Sequence, residues 1–490
     1  MRLRHLTSTL TLLLASAAIA ADRPNIVLIL SDDVGYGDLG CYGATHVRTP
    51  NLDRLARDGA RFTDAHATAS VCTPTRFALL TGKYAWRVPG TGIAPGDSPL
   101  LISPETPTIA SALKSAGYST GIIGKWHLGL GATTPDFNTD LKPGPVELGF
   151  DYAFFIPATG DRVPCVFVQN HRVIDLEPTD PITVSYKGRI GNEPIGSEHQ
   201  DWLKIKGDAS HSDAIVNGIS RIGFMTGGHR AQWVDETIAD TLARQAVTFL
   251  ERQKADKPFF LLLTPHDIHE PMVPNPRFRG TSDCGWRGDV IHQLDWTVGE
   301  VLGTLDRLGL AKNTLVIFSS DNGGAVKNTY DDGTNALHDR QKPNGILRGQ
   351  KGQLYEGGHR VPFLARWPGH IRAGRESSAL LALVDLFPTF VDLVGGRLST
   401  GAAPDGINLK STLLLEAGAT PRPPLVLQGN RTVYFALRDG NWKLVQTAKG
   451  PELYDLANDL EETHNLAAAE PERVKSLTAK LVAERERALQ

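Results

Sequence analysis

The 490-residue sequence is poor in cysteine, has little excess charge of either sign, and lacks a long hydrophobic run. Four cysteines are too few for a dense disulfide scaffold. Basic residues number 51 and acidic residues 54, and the net charge of −3 argues against a nucleic-acid partner bound through net charge, although a local basic pocket stays possible. The hydrophobic fraction of 41% is typical of globular proteins, and the length suits one large domain or two unequal ones.

The first twenty residues have the pattern of a secretory signal peptide. Arg2 and Arg4 precede the apolar stretch 10–14, and Ala18-Ile19-Ala20 forms an Ala-x-Ala cleavage site. The stretch is too short to span a bilayer, and we predict no membrane span elsewhere. An uncut N-terminal anchor is the alternative, disfavoured by the polar residues 22–24. We predict a signal peptide at residues 1–20 and a secreted or periplasmic mature chain.

Helices alternate with buried strands along most of the chain, which indicates an α/β fold. Long amphipathic helices at about 235–253 and 291–308 each precede an apolar strand, and Thr49-Pro50 and Thr106-Pro107 predict helix starts. Continuous apolar runs predict strands at 25–30, 118–124, 258–263 and 314–318. We therefore predict a large domain over residues 21–420, with a mostly parallel sheet covered by helices. A Gly-, Pro- and Ala-rich stretch precedes a predicted small α+β domain with an antiparallel sheet over residues 421–490.

Polar side chains follow two of the predicted strands. Asp32 and Asp33 follow the first strand, at 25–30, and Asp321 and Asn322 follow the strand at 314–318. In open α/β sheets ligands bind outside the carboxyl ends of the strands. Four oxygen-bearing side chains suit a hard cation such as Ca²⁺ or Mg²⁺. The alternative at this point is that each pair only caps a loop.

Cys72 lies at the predicted N-terminus of a helix that ends near Thr81. Partial positive charge and free N–H groups at a helix N-terminus favour an anion. A lone cysteine is usually a buried, inert thiol, which is the alternative here. However, the pattern Cys-x-Pro-x-Arg from Cys72 to Arg76, followed by Leu-Thr-Gly at 80–82, resembles the signature of the type I sulfatases.

Further segments resemble the same family in the same order. They are the opening strand and metal loop at 24–37, Gly-Lys-Trp-His-Leu-Gly at 124–129, the His segment 266–271, Ser-Asp-Asn-Gly-Gly at 320–324, the lysine motif 347–358, and the C-terminal segments 442–444 and 452–456. The resemblance implies an alkaline-phosphatase-like fold and hydrolysis of sulfate monoesters.

The resemblance also implies particular site residues and a maturation step. A formylglycine-generating enzyme would convert Cys72 to formylglycine (3-oxoalanine), the nucleophile. One Ca²⁺ would be held by Asp32, Asp33, Asp321, Asn322 and the modified Cys72. The sulfate would be surrounded by Arg76, Lys125, His127, His269 and Lys351. Three basic side chains and a divalent cation against three aspartates leave an excess of positive charge, which suits a sulfate ester.

The implied mechanism uses the two geminal hydroxyls of the hydrated aldehyde. One, deprotonated by a nearby base for which Asp321 is a candidate, attacks sulfur, and His269, aided by Lys351, protonates the leaving alcohol. His127 then deprotonates the second hydroxyl so that sulfate leaves. Arg76 would hold the formylglycine and Lys125 the sulfate. Thr159 and His266 are further candidates for sulfate contact, without a firm match to the family pattern.

The substrate is expected to be a sulfated carbohydrate. Substrate choice is expected to lie in two irregular regions: 160–232, which has little helical periodicity, and 323–349, a polar loop after a strand end. Candidate sugar-binding residues are His199, Trp202, His211, His229, Arg230 and Trp233, or these merely pack an insertion. Two other functions stay open. One is a phosphomonoesterase, phosphodiesterase or phosphonate hydrolase of the same fold, and the other is a non-catalytic glycan-binding protein in which Cys72 is never converted. Cys41, Cys165 and Cys284 are odd in number, so at least one thiol is free.

Overall fold

A computed structural model describes residues 23–254, 256–430 and 434–488. The predicted signal peptide lies outside these residues. Within the described ranges, every helix is too short or too polar to cross a membrane. All four cysteines are free thiols, so the described chain is not cross-linked.

A sheet of ten strands forms the centre of the molecule. From one edge to the other the strands are β15 (Arg375–Ser377), β2 (Ala60–Phe62), β14 (Phe363–Arg366), β13 (Thr314–Ser320), β1 (Asn25–Ser31), β12 (Phe259–Thr264), β4 (Ser119–Lys125), β5 (Tyr152–Ile156), β6 (Val168–Gln169) and β7 (Arg172–Val173). The five strands from β13 to β5 are parallel to one another, and antiparallel strands lie on either side of them. The predicted fold class is confirmed.

Strand β1 lies in the middle of the sheet because its sequence is apolar on both faces. Every residue of β1, β12 and β13 is buried. A run with no polar alternation can be covered only from both sides, which requires helices above and below the sheet. The register pairs Ile26 with Phe260 on one side and with Leu315 on the other.

Ten α-helices are described around the sheets. They are α1 (Pro50–Arg57), α2 (Cys72–Thr81), α3 (Ile109–Ser115), α4 (Ile238–Glu251), α5 (Gly285–Arg307), α6 (His338–Gln341), α7 (Glu356–His359), α8 (Leu386–Leu393), α9 (Lys410–Leu413) and α10 (Pro471–Glu486). Helix α5 contacts both α1 and α4, and α3 contacts both α2 and α8. The two long predicted helices are confirmed as α4 and α5, with boundaries shifted by a few residues.

One predicted helix start is wrong. The sequence predicted Thr106 as the N-cap of α3, with Pro107 at its first position, but the helix begins at Ile109 and Thr108 is the N-cap. The Thr108 hydroxyl accepts a hydrogen bond from the N–H of Ser111, and the Ser111 hydroxyl accepts one from the N–H of Thr108. This reciprocal capping box outweighs the preference for proline at the first helical position.

A second sheet lies near the C-terminus. It is antiparallel, in the order β17 (Leu425–Gln428), β18 (Phe435–Asp439), β19 (Trp442–Thr447) and β20 (Gly450–Asp455). Gly440 has a φ of 58°, which the tight turn between β18 and β19 requires. Helix α10 packs against β18 and β19 and buries Leu477 and Leu481. Three two-stranded sheets complete the fold: β3 (Ala65–His66) with β16 (Leu381–Ala382), β8 (Thr183–Ser185) with β11 (Phe224–Thr226), and β9 (Ile215–Val216) with β10 (Ile219–Ser220).

Candidate active site

The carboxyl ends of β1 and β13 bring four polar side chains together. The parallel register pairs Ser31 with Ser320, so the residues that follow each strand are neighbours. Ligand atoms of Asp32, Asp33 and Asp321 all lie within 4.8 Å of one another. The Asn322 side-chain amide donates to Asp33 Oδ1 at 2.8 Å. The structure thus assembles the four side chains that the sequence singled out at two distant points of the chain.

This carboxylate cluster has oxygens left for a cation. Asp32 Oδ1 and Asn322 Oδ1 are buried and have no hydrogen-bond partner among the described residues. Buried carboxylate and amide oxygens without donors are costly, and a hard cation with oxygen ligands would satisfy them. The donor set therefore fits Ca²⁺. The Cys72 sulfur is not a member of the three-aspartate group.

Three bases surround these carboxylates. The pairs are Lys125–Asp32, Lys351–Asp33 and Arg76–Asp321, each with an N–O distance of 2.7 Å. We call these six side chains the charge ring. Five of them are at least nine-tenths buried, and the Lys351 side chain is 20% exposed. A cation bound by the aspartates would weaken their ion pairs with the three bases. The bases could then bind an anion.

Burial and neighbouring charges shift the pKa values in the charge ring in opposite directions. Burial and then the charge of Asp32 raise the pKa of Asp321 to about 6. Burial would also raise the pKa of Asp33, but Lys351, His269 and Lys125 together outweigh it and hold the Asp33 pKa well below its usual range. Unequal protonation of neighbouring carboxylates is expected where three acids share a small buried volume.

Lys125 is positioned by its own strand and by β12. It is the last residue of β4, and its carbonyl accepts hydrogen bonds from Thr264 Oγ1 at 2.9 Å and from Arg76 Nη1 at 3.0 Å. Gly124 before it has a φ of 116°, and a Cβ there would lie 2.1 Å from the Thr264 carbonyl oxygen. Only glycine allows this close approach, so the strand end can turn Lys125 toward Asp32.

Cys72 is the first residue of α2, and all ten residues of that helix are buried. Arg76, one turn later on the same helix, therefore lies beside it. Burial opposes the charge of Arg76 and of Lys351, but the aspartates and then Cys72 raise the pKa of both. The segment that carries Lys351, residues 347–355, which we call the Lys351 loop, is hydrogen-bonded to the residues just before Cys72. The N–H of Gly352 donates to the Ser70 carbonyl at 2.7 Å. Cys72 thus lies next to the charge ring.

Two histidines of the predicted site are buried and neutral. His127 Nε2 lies 2.9 Å from the Ala94 carbonyl, so Nε2 donates and the unpartnered Nδ1 has a free lone pair. His269 Nδ1 donates to the Glu270 carbonyl at 2.7 Å, which leaves Nε2 as the acceptor. Burial and then Lys351 and Lys125 lower the pKa of His269 to about 3, and burial and Lys125 hold the pKa of His127 well below its usual range.

Two residues of the site have an unusual backbone conformation. Asp33 and His127 have φ values of 57° and 55°. Left-handed conformations are uncommon for residues other than glycine and concentrate at functional sites. Here they turn a carboxylate and an imidazole directly after a strand end.

His266, whose contact with the substrate the sequence left open, forms part of the wall behind His269. It is buried, its ring lies 5.5 Å from that of His269, and a Cβ at Gly160 would lie 2.1 Å from its Nε2. Asp32, His266 and His269 offer a further set of ligand atoms within 4.8 Å. Lys125 also donates to Asp32 Oδ2, so Asp32 is shared between this set, Lys125 and the three-aspartate group.

A second polar cluster was not singled out by the sequence. Asp161, His211 and Glu270 have ligand atoms within 4.8 Å of one another, and His211 Nε2 lies 3.4 Å from Asp161 Oδ2. Thr159 donates to Asp161, and Arg162 Nε lies 3.4 Å from Asp161. The signal was the polar run 159–162 shortly after β5, again at the carboxyl end of a parallel strand.

Of the six candidate sugar-binding residues, only His211 lies in this cluster. Trp202 is 56% exposed and stacks on His199. Trp233 is buried against Phe167, as the packing alternative predicted. His229 and Arg230 are exposed and pair with Asp180 and Glu177. The sequence could not tell which of these side chains are buried and which are exposed, because the segment has no periodicity that would indicate the direction of a side chain.

Known proteins are similar to this chain over most of its length. A family model described as Sulfatase matches residues 24–396. The chain belongs to the sulfatase family. An N-acetylgalactosamine-6-O-sulfatase of Bacteroides thetaiotaomicron is 46% identical over 475 residues, which cover 94% of this chain and 92% of that one. Human arylsulfatase A is 34% identical over 96% of this chain and 89% of its own length.

A solved structure of a Bacteroides thetaiotaomicron sulfatase, described with the metabolism of multiple glycosaminoglycans, has the same fold. It superposes with a TM-score of 0.93 at 45% identity and covers 95% of this chain and 100% of that one. This sulfatase is therefore a hydrolase of sulfate esters. One of its relatives is named for a carbohydrate substrate, N-acetylgalactosamine.

Proposed function

We propose that this sulfatase hydrolyses sulfate monoesters of carbohydrates, using a formylglycine made from Cys72 and one bound Ca²⁺. The observation that carries the proposal is the charge ring beside Cys72: three buried aspartates facing three bases at the carboxyl end of a parallel sheet. The three aspartates and three bases balance one another, so a cation bound by the aspartates would free the bases to bind an oxyanion.

The metal ligands proposed are Asp32, Asp33, Asp321, Asn322 and the converted Cys72. When bound, Ca²⁺ would supply positive charge next to the sulfate and fix its orientation. The two acceptor oxygens without partners, on Asp32 and Asn322, support this assignment. Formylglycine would supply, as its hydrate, a hydroxyl nucleophile that a cysteine does not offer.

Lys125 and Lys351 are proposed to hold the sulfate, and Arg76 to hold the formylglycine. Their head groups lie within the same buried charge ring, and low local polarity strengthens each charge–charge interaction there. Lys351 is the most exposed of the three and so faces the entry route. The bound ester would exclude water from this side of the site.

His269 is proposed to protonate the leaving alcohol through Nε2, and His127 to accept a proton through Nδ1. Without substrate the two imidazoles beside the charge ring are neutral, because burial and the lysines lower the pKa of each. The negative charge of a bound sulfate ester opposes the effect of the lysines and raises the pKa of His269 toward the range of a general acid. The hydrogen bonds of the opposite nitrogens fix the tautomers that these roles require.

We propose a 6-O-sulfated amino sugar as the first substrate class to examine. The relative named N-acetylgalactosamine-6-O-sulfatase supports this choice. Asp161, His211 and Glu270 provide acceptors and a donor close to His269, and sugar hydroxyls need both. Secretion after removal of residues 1–20, and conversion of Cys72 by a formylglycine-generating enzyme, belong to the same proposal.

Two measurements on the purified protein test the proposed function. Peptide mass spectrometry across Cys72 should find the lighter aldehyde form, which reacts with hydrazides. Assays should find hydrolysis of 6-O-sulfated N-acetylgalactosamine and much slower hydrolysis of the matching phosphate ester. A faster phosphate ester would favour the phosphoesterase alternative, and an unconverted thiol with glycan binding would favour the non-catalytic one.

A further inference from the structure

Asn344 lies where three segments of the site meet. It belongs to the polar loop 323–349, between the segment 320–324 and the Lys351 loop, and only 4% of it is exposed. Its Oδ1 accepts a hydrogen bond from the N–H of Gly324 at 2.8 Å. Its Nδ2 donates to the carbonyls of Gly324 at 2.9 Å and Gly349 at 3.1 Å. One carboxamide therefore connects two loops of the site.

Both of these loops carry residues of the proposed site. Gly324 is two residues after Asn322, a proposed metal ligand, and Gly349 is two residues before Lys351, which is proposed to hold the sulfate. The backbones of the two loops also meet directly, because the N–H of Lys351 donates to the Gly324 carbonyl at 3.2 Å. The Asn344 carboxamide thus sets the separation of a metal ligand and a sulfate-binding lysine through backbone groups on both loops.

The loop that follows Asp33 packs against the same point. The N–H of Gly37 donates to the Pro343 carbonyl at 2.7 Å. A Cβ at Gly35 would lie 2.4 Å from Asn344 Oδ1 and 2.2 Å from the Pro343 carbonyl oxygen, so no side chain fits between them. Because this contact is so close, a shift of Asn344 would also move the backbone next to Asp33.

Asparagine suits this position through its hydrogen-bonding groups. The carboxamide offers an acceptor oxygen and two N–H donors, and here each donor has its own carbonyl. Aspartate would keep the acceptor but would place a second oxygen against the carbonyls of Gly324 and Gly349. Alanine would leave three buried backbone groups without these partners, which is costly. The side chain carries no charge, so its effect on the site is one of geometry.

We propose that Asn344 is a positioning residue, which holds the calcium ligands and Lys351 at the separation that a bound sulfate ester requires. This role rests on the proposed function and extends it to a side chain outside the charge ring. Without the carboxamide the two loops would no longer be held at one distance. The affinities for calcium and for an oxyanion would then fall together.

The test compares wild type with Asn344→Ala and Asn344→Asp, and Asn344→Ser serves where a larger change prevents folding. Asn25→Asp is the matched control, because Asn25 is also buried and hydrogen-bonds to β12 and β13 at the opposite end of the same sheet. The readouts are the calcium-dependent rise in Tm and the inhibition constant of inorganic sulfate against 6-O-sulfated N-acetylgalactosamine. The Asn344 variants should weaken calcium and sulfate binding by about tenfold each. Asn25→Asp should lower Tm and change neither.

The aspartate variant separates geometry from charge. A negative charge near the metal ligands would by itself tighten calcium binding, so weaker binding in both Asn344→Asp and Asn344→Ala supports the positioning role. Tighter calcium binding in Asn344→Asp, a change in only one of the two affinities, or variants that match Asn25→Asp would overturn that role and leave the proposed function intact. If wild type shows neither a calcium-dependent rise in Tm nor hydrolysis of the sulfate ester, the proposed function fails, and the positioning role fails with it.

Discussion

At the scale of single residues, the site is held together by compensation of buried charge. Lys125 and Asp32 are both fully buried, and each is the partner that makes the burial of the other tolerable. The same holds for Arg76 and Asp321. A substitution that removes one member of such a pair therefore affects stability as well as catalysis, whereas replacement of Cys72 removes no charge partner.

Cys72→Ser should fold normally and lose activity by about a thousandfold or more. An enzyme that makes formylglycine by oxidising a cysteine thiol would leave the serine unconverted, so the nucleophile would be missing. The readouts are kcat/KM on a sulfate ester and hydrazide labelling. Cys165→Ser, at another buried free thiol, is the matched control and should keep both. Full activity of Cys72→Ser would contradict the nucleophile assignment.

Calcium should stabilise the folded protein because only the folded state assembles Asp32, Asp33, Asp321 and Asn322. At a free concentration one hundred times the Kd, the gain is about 2.7 kcal/mol, seen as a rise in Tm that a chelator reverses. Asn322→Ala should shrink this calcium-dependent shift. An identical shift in that variant would show that the ion binds elsewhere.

At the scale of elements, neighbouring helices satisfy each other's backbone groups. Asp295 on α5 accepts hydrogen bonds from the N–H groups of Asn51 and Leu52 at the start of α1. These N–H groups have no partner within α1, so the carboxylate from α5 serves as its cap. The position of α1 against the sheet thus depends on a residue far along the chain.

Burial raises the pKa of Asp295 to about 6, despite the N–H groups that favour its charged form. Because the folded state holds this proton more tightly than the unfolded state, whose carboxyl titrates near pH 4, the contribution is full below about pH 4. It is lost as pH rises through about 6. The stability of wild type relative to Asp295→Asn should therefore fall by about 1–3 kcal/mol between pH 4 and 7 in denaturant titrations. A constant difference would contradict this sign.

Thr108→Ala should lower the free energy of unfolding by about 1–2 kcal/mol, because it removes the N-cap of α3. Thr106→Ala, two residues earlier, should be close to neutral and serves as the matched control. Chemical denaturation of both variants makes the comparison. The reverse order would restore the helix start predicted from the sequence and contradict the capping box.

At the scale of the whole molecule, buried ion pairs join the C-terminal sheet to the catalytic part. Lys443 on β19 lies 2.9 Å from Glu356 and 2.8 Å from Glu462, and all three are fully buried. Arg438 on β18 pairs with Asp64, which follows β2. Glu356 begins α7, five residues after Lys351, so this charge network ties the C-terminal sheet to the helix that follows the Lys351 loop.

Lys443→Met should destabilise the protein by about 3–5 kcal/mol, because two buried carboxylates would lose their shared cation. Lys449→Met, an exposed lysine beyond the same strand, should change stability little. Thermal unfolding followed by circular dichroism and by activity should show both signals falling together in Lys443→Met. A loss of the C-terminal sheet with full activity would contradict the shared network.

The sequence could predict the parts of the site that depend on strand ends. Asp32, Asp33, Asp321 and Asn322 follow apolar runs whose parallel pairing places them together, so local pattern was enough. The cluster of Asp161, His211 and Glu270 could not be predicted, because loops without periodicity bring its members together. The α3 start failed because two threonines two residues apart were both plausible caps, and only the Ser111 hydroxyl decides between them.

The enclosure of α2 fixes an order of events in the life of the protein. Cys72 is 2% exposed, and the nine residues after it are covered as well. An enzyme that modifies Cys72 would need access to its sulfur, which this buried helix does not give in the folded chain. The proposed conversion would therefore act on the nascent or unfolded polypeptide, and a molecule that folds first would keep an unconverted thiol.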